Sequence, residues 1–531
     1  MTADKTKSKE WDYIVVGAGS SGAAFAARLV EQGYAVALLE AGPDYRSAKM
    51  PEVWRSPNPL RGLQNPESFE DLVWTDLHST RTDAQEPKLY WRGRGVGGSS
   101  AVNGQIAIRP PLEEFQMWLA EGCKGWGPDD VLPYFNKLES DEEYGDREYH
   151  GSDGPVPVFR AKPDDWGAVD RALANSARAL GFPWEDDVNA PGATGVSRYP
   201  INSRNSLRVS TNDAYLEPLR ADPRLTIIGD SLVDKILFSG SKAIGVRAVI
   251  GGEETDLFAG EIVLSAGVVH SPAILIRSGI GPAAQLSHLG LDCRVNLPVG
   301  ESMQDHPLIS MGLALKQEYA IPNPDARHTN VAVRYTSNVP AAEFNDMMMI
   351  AMNQNIVAMN IADTTIGAGG IGVWVNHAHS RGNVFVNSLD PNRQPFVRQN
   401  MLSDERDRAR MREGLRYLQE ISECSAVKEI CAYRPDQINP EMFDALRSGS
   451  DDDLDRFMLK FASDTQHGTS TCRMGDPNSP TTVVDSDGLV LGIESLRVVD
   501  ASIFPFVSLA NTNFTAIMVG EYMSDRATSG K

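Results

Sequence analysis

A chain of 531 residues exceeds the roughly 100–200 residues of a typical domain, so two domains sharing a ligand are expected. With 41% hydrophobic residues it can bury large cores, and a net charge of −21 argues against nucleic acid or an anionic membrane as partner. Met1 to Glu10 is polar, and no apolar run nears the roughly 18 residues of a membrane span, so neither a signal peptide nor a transmembrane helix is expected.

The first element is Asp12-Tyr13-Ile14-Val15-Val16, an apolar run that reads as a buried parallel strand. Gly17-Ala18-Gly19-Ser20-Ser21-Gly22 follows and opens a helix. Gly17 allows the tight turn, Gly19 lets the backbone approach a pyrophosphate, and Gly22 lets the helix pack on the strand. The helix start offers free N–H groups and a positive end to phosphates. A second strand, Ala35 to Leu39, ends at Glu40 before Ala41 and Gly42. A carboxylate there can accept both ribose hydroxyls and would repel a 2′-phosphate. The same glycine spacing recurs at Gly93-Gly95-Gly98 and Gly367-Gly369-Gly372. Only the first copy has the strand before it and the acid-ended strand after it that make the glycines useful.

Residues 43–92 read as a long, proline-rich, irregular connection with Trp54, Trp74 and Trp91, of the kind that covers a site. Arg92-Gly93-Arg94-Gly95-Val96-Gly97-Gly98-Ser99-Ser100-Ala101-Val102-Asn103-Gly104 comes next. So many glycines suit either close approach to a flat ring or a plain surface loop. Residues 113–138 predict two helices, and Asp141 to Asp153 a charged loop. Strands return at Leu225–Ile228, at Ala243–Val249 and at Glu261 to Gly267, the last followed by an apolar helix. From about 311 to 463, alternation of Thr329, Val331, Val333 and Tyr335 with polar residues predicts a sheet with one wet face. Met347 to Ile350 reads as buried strand or pocket wall. Gly372 to Val375 and Asn383 to Val386 predict a hairpin around Ser380-Arg381-Gly382. His377 and His379 would share one face of a strand, but no third metal ligand is visible and no metal site is expected. Ser403-Asp404-Glu405 opens a helix with a capping residue and acids in its first turn, and Leu454, Phe457, Met458 and Phe461 mark another that leads to Asp464-Thr465-Gln466-His467. Leu496 to Val499 is a last buried strand before Asp500-Ala501-Ser502. The five cysteines, Cys123, Cys293, Cys424, Cys431 and Cys472, form no C-x-x-C pair, which fits buried thiols in a reducing, cytoplasmic setting.

Taken together, these segments resemble the glucose–methanol–choline (GMC) flavoprotein oxidoreductases over nearly the whole length. The resemblance rests on the first glycine fingerprint with Glu40-Ala41-Gly42, on Gly97-Gly98-Ser99-Ser100-x-x-Asn103, and on Gly267 to Gly281. It rests equally on Gly300-x-x-x-Gln304-Asp305-His306, His467-Gly468-Thr469, Asp500-Ala501-Ser502 and Asn511-Thr512-Asn513. Length and the spacing of His467 from Asn511 are most similar to bacterial hydroxymethylfurfural-oxidase and choline-oxidase types. The implied fold class is α/β: a Rossmann-like FAD domain from residues 1–155, 200–310 and 464–531, with an α+β substrate domain from 156–199 and 311–463 carrying a mostly antiparallel sheet.

The resemblance also implies a site. FAD would lie on Gly17, Gly19, Ser20, Ser21, Gly22, Glu40 and Ala41, with Val233 reading the adenine. Gly97, Gly98, Ser99, Asn103, Gly104, Gln105 and Ile106 would line the isoalloxazine, and Ala266, Gly267, Asp500, Ala501 and Thr512 would meet the rest of the cofactor. His467 and Asn511 would be catalytic, with Thr465, Gln466 and Trp374 on the substrate. Ala101 stands where some relatives carry a histidine joined to FAD, so attachment would be non-covalent. Val268 replaces a small residue, and Thr465-Gln466 make the wall more polar than in several relatives. His306 would fix a turn with Asp305, and Arg92, Arg94 and Arg109 would be solvated or carboxylate-paired. The implied reaction oxidises a primary alcohol, aromatic or polar, to the aldehyde, with onward oxidation through the hydrate left open. Hydride would go to the flavin and the hydroxyl proton to His467, with O2 or another acceptor completing the cycle. A quinone-linked dehydrogenase and a hydroxynitrile lyase are the alternatives, and a homodimer is left open.

Overall fold

The computed structural model describes residues 11–321, 323–354 and 367–529. It contains two seven-stranded sheets, each with its own apolar core. In the first sheet Trp11–Val16 pairs in parallel with Val36–Leu39 on one side and with the second half of Glu253–Leu264 on the other. Leu225–Ile228 adds in parallel to the outer edge of Val36–Leu39, and Leu496–Val498 joins Glu253–Leu264. The strand Glu253–Leu264 serves two purposes. Its first half alternates exposed and half-buried residues and pairs antiparallel with Lys242–Ile250, which pairs with Ser231–Ser239. Its second half is apolar, and Ile262, Val263 and Leu264 are fully buried in the parallel part.

The helices Ser20–Glu31 and Thr512–Thr528 pack on each other over this sheet. Small residues make that approach possible: a Cβ on Gly520 would stand 2.4 Å from the Ser21 carbonyl oxygen. Both helices begin at the same end of the sheet, where the first glycine turn also lies. Gly17 has φ of +102°, and a Cβ there would stand 2.4 Å from the Ser265 oxygen, so only glycine fits.

The second sheet runs, edge to edge, through Ser463–Asp464, Pro307–Leu315, Gly367–Val375, Met347–Met352, Val331–Tyr335, Gly195–Arg198 and Trp184–Glu185. All pairs are antiparallel except the last. Period-two alternation gives its faces different tasks. Met347, Met349, Ile371 and Val373 face a core with Val169, Leu173, Met411 and Leu415 from the helices Ala168–Ala179 and Glu405–Glu423. Met348 and Trp374 face the other way, with Leu308 and Ile350 packed beside them. The run Met347 to Ile350 thus supplies the core through Met347 and Met349 and the cavity wall through Ile350.

Four expectations need correction. No face of Val331–Tyr335 is wet: all five residues are buried, and Arg334 donates to the carbonyls of Arg109 at 3.2 Å, Val188 at 2.5 Å and Ala193 at 3.1 Å. The segment around Ile106–Arg109 covers that side, which the alternation could not show. The hairpin is absent because Gly367–Val375 is an interior strand with both edges taken, while Asn383–Phe385 pairs with Phe396–Arg398 in a separate sheet. Residues 43–92 are not irregular throughout; short helices stand at Glu52–Arg55, Leu60–Leu63 and Pro66–Leu72. Cys123, Cys431 and Cys472 are buried, but Cys293 is exposed and Cys424 is half-buried. No helix among the described residues is long and apolar enough to cross a membrane.

Candidate active site

A cavity of about 460 Å³ runs from the first glycine turn to the inner face of the second sheet. Gly17, Gly19, Ser20 and Ser21 line one end, together with Glu40, Ala41, Val233, Ala266, Gly267, Asp500 and Ala501. Gly98, Ser99, Asn103, Gly104, Ile106 and Thr512 line its length. His467, Asn511, Thr465, Gln466 and Trp374 line the far end. Three sequence-predicted residues stand outside the lining. Gly22 packs the helix, since a Cβ there would stand 2.0 Å from the Gly17 oxygen. Gly97 holds the turn with φ of +99° and donates to the Ala18 carbonyl at 2.8 Å. Gln105 is fully buried and donates to the Ser56 carbonyl at 3.2 Å.

The glycine end is built for an elongated anionic ligand. Gly98 has φ of +51°, and a Cβ on it would stand 2.6 Å from the Gly19 Cα, so the two glycine loops meet backbone to backbone. Three helices begin here, at Ser20, Gly267 and Thr512, none with a side-chain cap among the described residues. Their free N–H groups and positive ends suit phosphate. The buried Asn513 amide nitrogen lines the cavity without a partner among the described residues. Glu40 accepts N–H groups from Ala18 at 3.0 Å, Gly42 at 3.1 Å and Gly95 at 2.9 Å. Burial raises its pKa and these bonds pull it back. With about four lone-pair directions on a carboxylate, Glu40 has room for about one ribose hydroxyl rather than two. Asp500 is likewise engaged, by Gly267 N–H at 2.8 Å, Ser271 hydroxyl at 2.5 Å and Ser502 N–H at 2.8 Å.

At the far end the hydrogen bonds fix the protonation of His467. The His306 Nε2 lies 2.9 Å from the Ser508 carbonyl, which can only accept, so Nε2 carries the proton. In neutral His306 the Nδ1 is then an acceptor, and it lies 3.0 Å from His467 Nδ1. Thr465 Oγ1, 2.7 Å from the same His467 Nδ1, offers a second acceptor. On the other side Tyr199 donates its hydroxyl to Asn511 Oδ1 at 2.5 Å, which turns the Asn511 amide nitrogen toward His467 Nε2 at 3.1 Å. His467 therefore carries its proton on Nδ1 and keeps an unprotonated Nε2, whose lone pair accepts from the Asn511 amide. Burial, then His306 and Arg92, hold its pKa well below the ordinary histidine range. Burial likewise takes His306 down to about 4. Asp305 anchors the assembly by accepting the backbone N–H of His306 at 2.8 Å and of His467 at 2.9 Å.

His306 does fix its turn with Asp305, but its ring also orients His467, a role the sequence reading missed. Tyr199 was missed altogether, because a lone tyrosine in a loop-rich segment gives no signal. Trp374 lies near-parallel to His306, with rings 6.4 Å apart. Leu308 and Ile350 complete an apolar wall beside it. The polarity expected of Thr465 and Gln466 is mostly turned away from the cavity. Thr465 serves His467 and Asp305, while the Gln466 amide donates to Asp464. Ala101 packs inward at 2% exposure, and its neighbour Val102 lines the cavity instead. Arg92 donates to the Gln466 carbonyl at 2.6 Å, and Arg109 pairs with the buried Glu139. His377 and His379 follow the strand rather than lying on it, and a third group does stand beside them: Glu343 Oε2, 2.6 Å and 3.1 Å away. Arg410 shares that oxygen at 3.0 Å, and the three ligand atoms lie close enough together to hold a metal ion.

Comparison with known proteins agrees with this geometry. The GMC oxidoreductase family model matches residues 11–308 in its N-terminal part and 378–520 in its C-terminal part. The chain is 33% identical over 555 residues to an oxygen-dependent choline dehydrogenase of Pseudomonas savastanoi pv. phaseolicola, covering 98% of this chain and 94% of that one. An oxygen-dependent choline dehydrogenase of Pseudomonas fluorescens is also 33% identical, over 559 residues, covering 98% of this chain and 94% of the relative. Among solved structures, pyridoxine 4-oxidase from Mesorbium loti superposes with a TM-score of 0.87 at 26% identity, covering 98% of this chain and all of that one. The chain belongs to the GMC oxidoreductase family, whose members are FAD-dependent enzymes of alcohol oxidation.

Proposed function

We propose that the chain oxidises a primary alcohol with a flat, aromatic body to the aldehyde, using non-covalently held FAD and passing the electrons to O2. Gly17 to Ser21, Glu40 and Asp500 would hold the dinucleotide part. The Gly98 to Ile106 segment would carry the ring, leaving its reactive face toward His467 and Asn511. The bound flavin supplies the hydride acceptor. The remaining work falls to the chain's own side chains. The substrate hydroxyl takes the place of the Asn511 amide at His467 Nε2, which accepts its proton, and the His306 and Thr465 acceptors hold the ring in the tautomer that can do so. Asn511, aimed by Tyr199, donates to the substrate oxygen. Trp374, Leu308 and Ile350 hold the body of the alcohol and exclude water. An aldehyde hydrate presents the same O–H and C–H pair, so the same groups can act a second time.

Choline itself fits poorly. Among the described residues, the acids lining the cavity are Glu40 and Asp500, both at the dinucleotide end and both already hydrogen-bonded. Among the described residues no cavity-lining carboxylate stands beside Trp374 to meet a quaternary ammonium. The observation that carries the proposal is the unprotonated His467 Nε2, paired with the Asn511 amide in a cavity that Trp374, Leu308 and Ile350 also line. It is tested by mixing the flavin-loaded protein anaerobically with a panel of alcohols, then admitting air and measuring peroxide. Bleaching by benzylic alcohols with His467→Ala at least about 100-fold slower supports it. Parent-like bleaching by His467→Ala, or none by any alcohol, overturns it. Bleaching without peroxide moves the acceptor from O2 to another oxidant.

A further inference from the structure

Outside the alcohol site, the second sheet brings two histidines and a carboxylate together at one end. Met347–Met352 and Gly367–Val375 pair antiparallel, with Met347 opposite Val375. The segment entering the first of these strands carries Glu343, and the segment leaving the second carries His377 and His379. The register therefore sets the three side by side, although 36 residues separate Glu343 from His379. Their ligand atoms, one from each side chain, lie within 4.8 Å of one another, and the two imidazole rings are 4.8 Å apart. None of the three lines the cavity.

Pairing inside this cluster is incomplete. His377 is buried, and its Nδ1 makes no hydrogen bond among the described residues, because Glu343 Oε2 lies 2.6 Å away but off the line of the ring N–H. His379 Nε2 is 3.1 Å from the same oxygen, and Glu343 Oε1 has no partner among the described residues. Nitrogen and oxygen ligands at about 2.0–2.2 Å from a tetrahedral Zn²⁺ stand roughly 3.4 Å from each other, so Glu343 need retreat from His377 by less than about 1 Å to admit an ion. The side chains of Glu343 and His379 are 41% and 16% exposed, which gives the ion a route from solvent. Arg410 leaves this charge unspent. It donates to Glu343 at 3.0 Å and to Asp346 at 2.8 Å and stands 3.9 Å from Asp407, so one guanidinium faces three carboxylates. Arg406 and Arg381 act on the cluster from farther off, and Arg406 is itself paired with Asp404 at 2.7 Å. Arg410 is then the outer partner that steadies a ligating carboxylate. Asp407 fixes the histidine segment by accepting the backbone N–H of His379 at 2.9 Å and of Ser380 at 2.7 Å.

We propose that Glu343, His377 and His379 bind a divalent transition-metal ion of the Zn²⁺ type. Two imidazoles and one carboxylate suit such an ion and leave a fourth position to water. Its task is structural. Asn376, next to His377, accepts Trp374 Nε1–H at 3.1 Å and donates to the Leu509 carbonyl at 2.7 Å, while Gln304 donates to the Ala378 carbonyl at 2.6 Å. The ion clamps the segment that holds Trp374 and the approach to Asn511.

The test uses flavin-loaded, untagged protein, stripped with a chelator and titrated with Zn²⁺ alone by calorimetry. The parent should take up one ion per chain at micromolar or lower concentration. Glu343→Gln, which keeps an acceptor for Arg410, and His379→Ala should each weaken binding at least about 10-fold. His467→Ala, which removes the histidine of the alcohol site, and His288→Ala, at an exposed position, should bind like the parent. Absence of saturable uptake by the parent, parent-like binding by either Glu343→Gln or His379→Ala, or loss of the ion by His467→Ala or His288→Ala overturns the proposal. If His379→Ala does not fold, Glu343→Gln decides alone. The readout does not depend on turnover, so a failure of the alcohol reaction leaves this test standing.

Discussion

The tautomer of His467 has two guardians, and removing them singly or together should give different arithmetic. His306 Nδ1 at 3.0 Å and Thr465 Oγ1 at 2.7 Å both accept from the same His467 Nδ1–H. Thr465→Val leaves His306 in place, and His306→Leu leaves Thr465. Each single change removes one of two alternative acceptors, about 1 kcal/mol and roughly a 5-fold loss in the rate of anaerobic flavin bleaching. The double variant leaves the N–H buried and unpaired, which costs about 1–3 kcal/mol further. It also lets the proton move to Nε2, the atom that must stay bare. The expected loss is therefore about 10²–10³-fold, well beyond the roughly 25-fold product of the singles, and bounded by the cost of deleting a general base outright. Rapid-mixing flavin bleaching with one benzylic alcohol, on protein of matched flavin content, measures all four forms. A double variant that equals the product of the singles would refute the redundancy, and one that matches the parent would refute the tautomer assignment.

Three further outcomes are expected. Because burial, His306 and Arg92 hold His467 neutral well below the ordinary histidine range, acid should not disable the base until pH falls below about 6.5; kcat/KM for a neutral alcohol that still titrates above that value contradicts this environment. Glu114 is fully buried, accepts Ser508 hydroxyl at 3.0 Å and Leu509 N–H at 2.6 Å, and burial raises its pKa to about 8. The folded chain then holds a proton that the unfolded chain has lost between about 4.5 and 8, so this group's contribution is full below that window and lost as pH rises through it. Thermal melts of Glu114→Gln should gain on the parent between about pH 5 and pH 8, and a constant or shrinking difference counts against the burial argument. Gly98→Ala would place a Cβ 2.6 Å from the Gly19 Cα at a φ of +51°, so the purified variant should emerge with most of its flavin lost; full yellow protein would show that the two loops can part freely.

The dinucleotide half of the fold was legible because its signals are local. The apolar run before Gly17, the acid after Val36–Leu39 and the run into Ala266 each state their own burial within a few residues. The second sheet was legible as strands but not as a topology. Gly367–Val375 and Asn383–Phe385 look like hairpin arms because the residues between them turn, yet the first is already claimed on both edges by the earlier strands Pro307–Leu315 and Met347–Met352. Alternation along Val331–Tyr335 correctly gave a strand and incorrectly gave water on one side, because period two reports that two faces differ and not what covers each.

The same distinction separates the two ends of the site. Groups that hold a dinucleotide act through backbone N–H and through glycines that make room for it, and both are written in short spacings. Groups that select a substrate act by convergence. Tyr199 reaches Asn511 across 312 residues, and His306 reaches His467 across 161. Leu308, Ile350 and Trp374 become one wall only because register places Leu308 and Met348 opposite Trp374 while Ile350 follows two residues along on the same face. Chemistry that every member of a fold must perform is therefore visible in sequence, whereas the choice of substrate is set by residues whose meaning appears only when the sheet has brought them together.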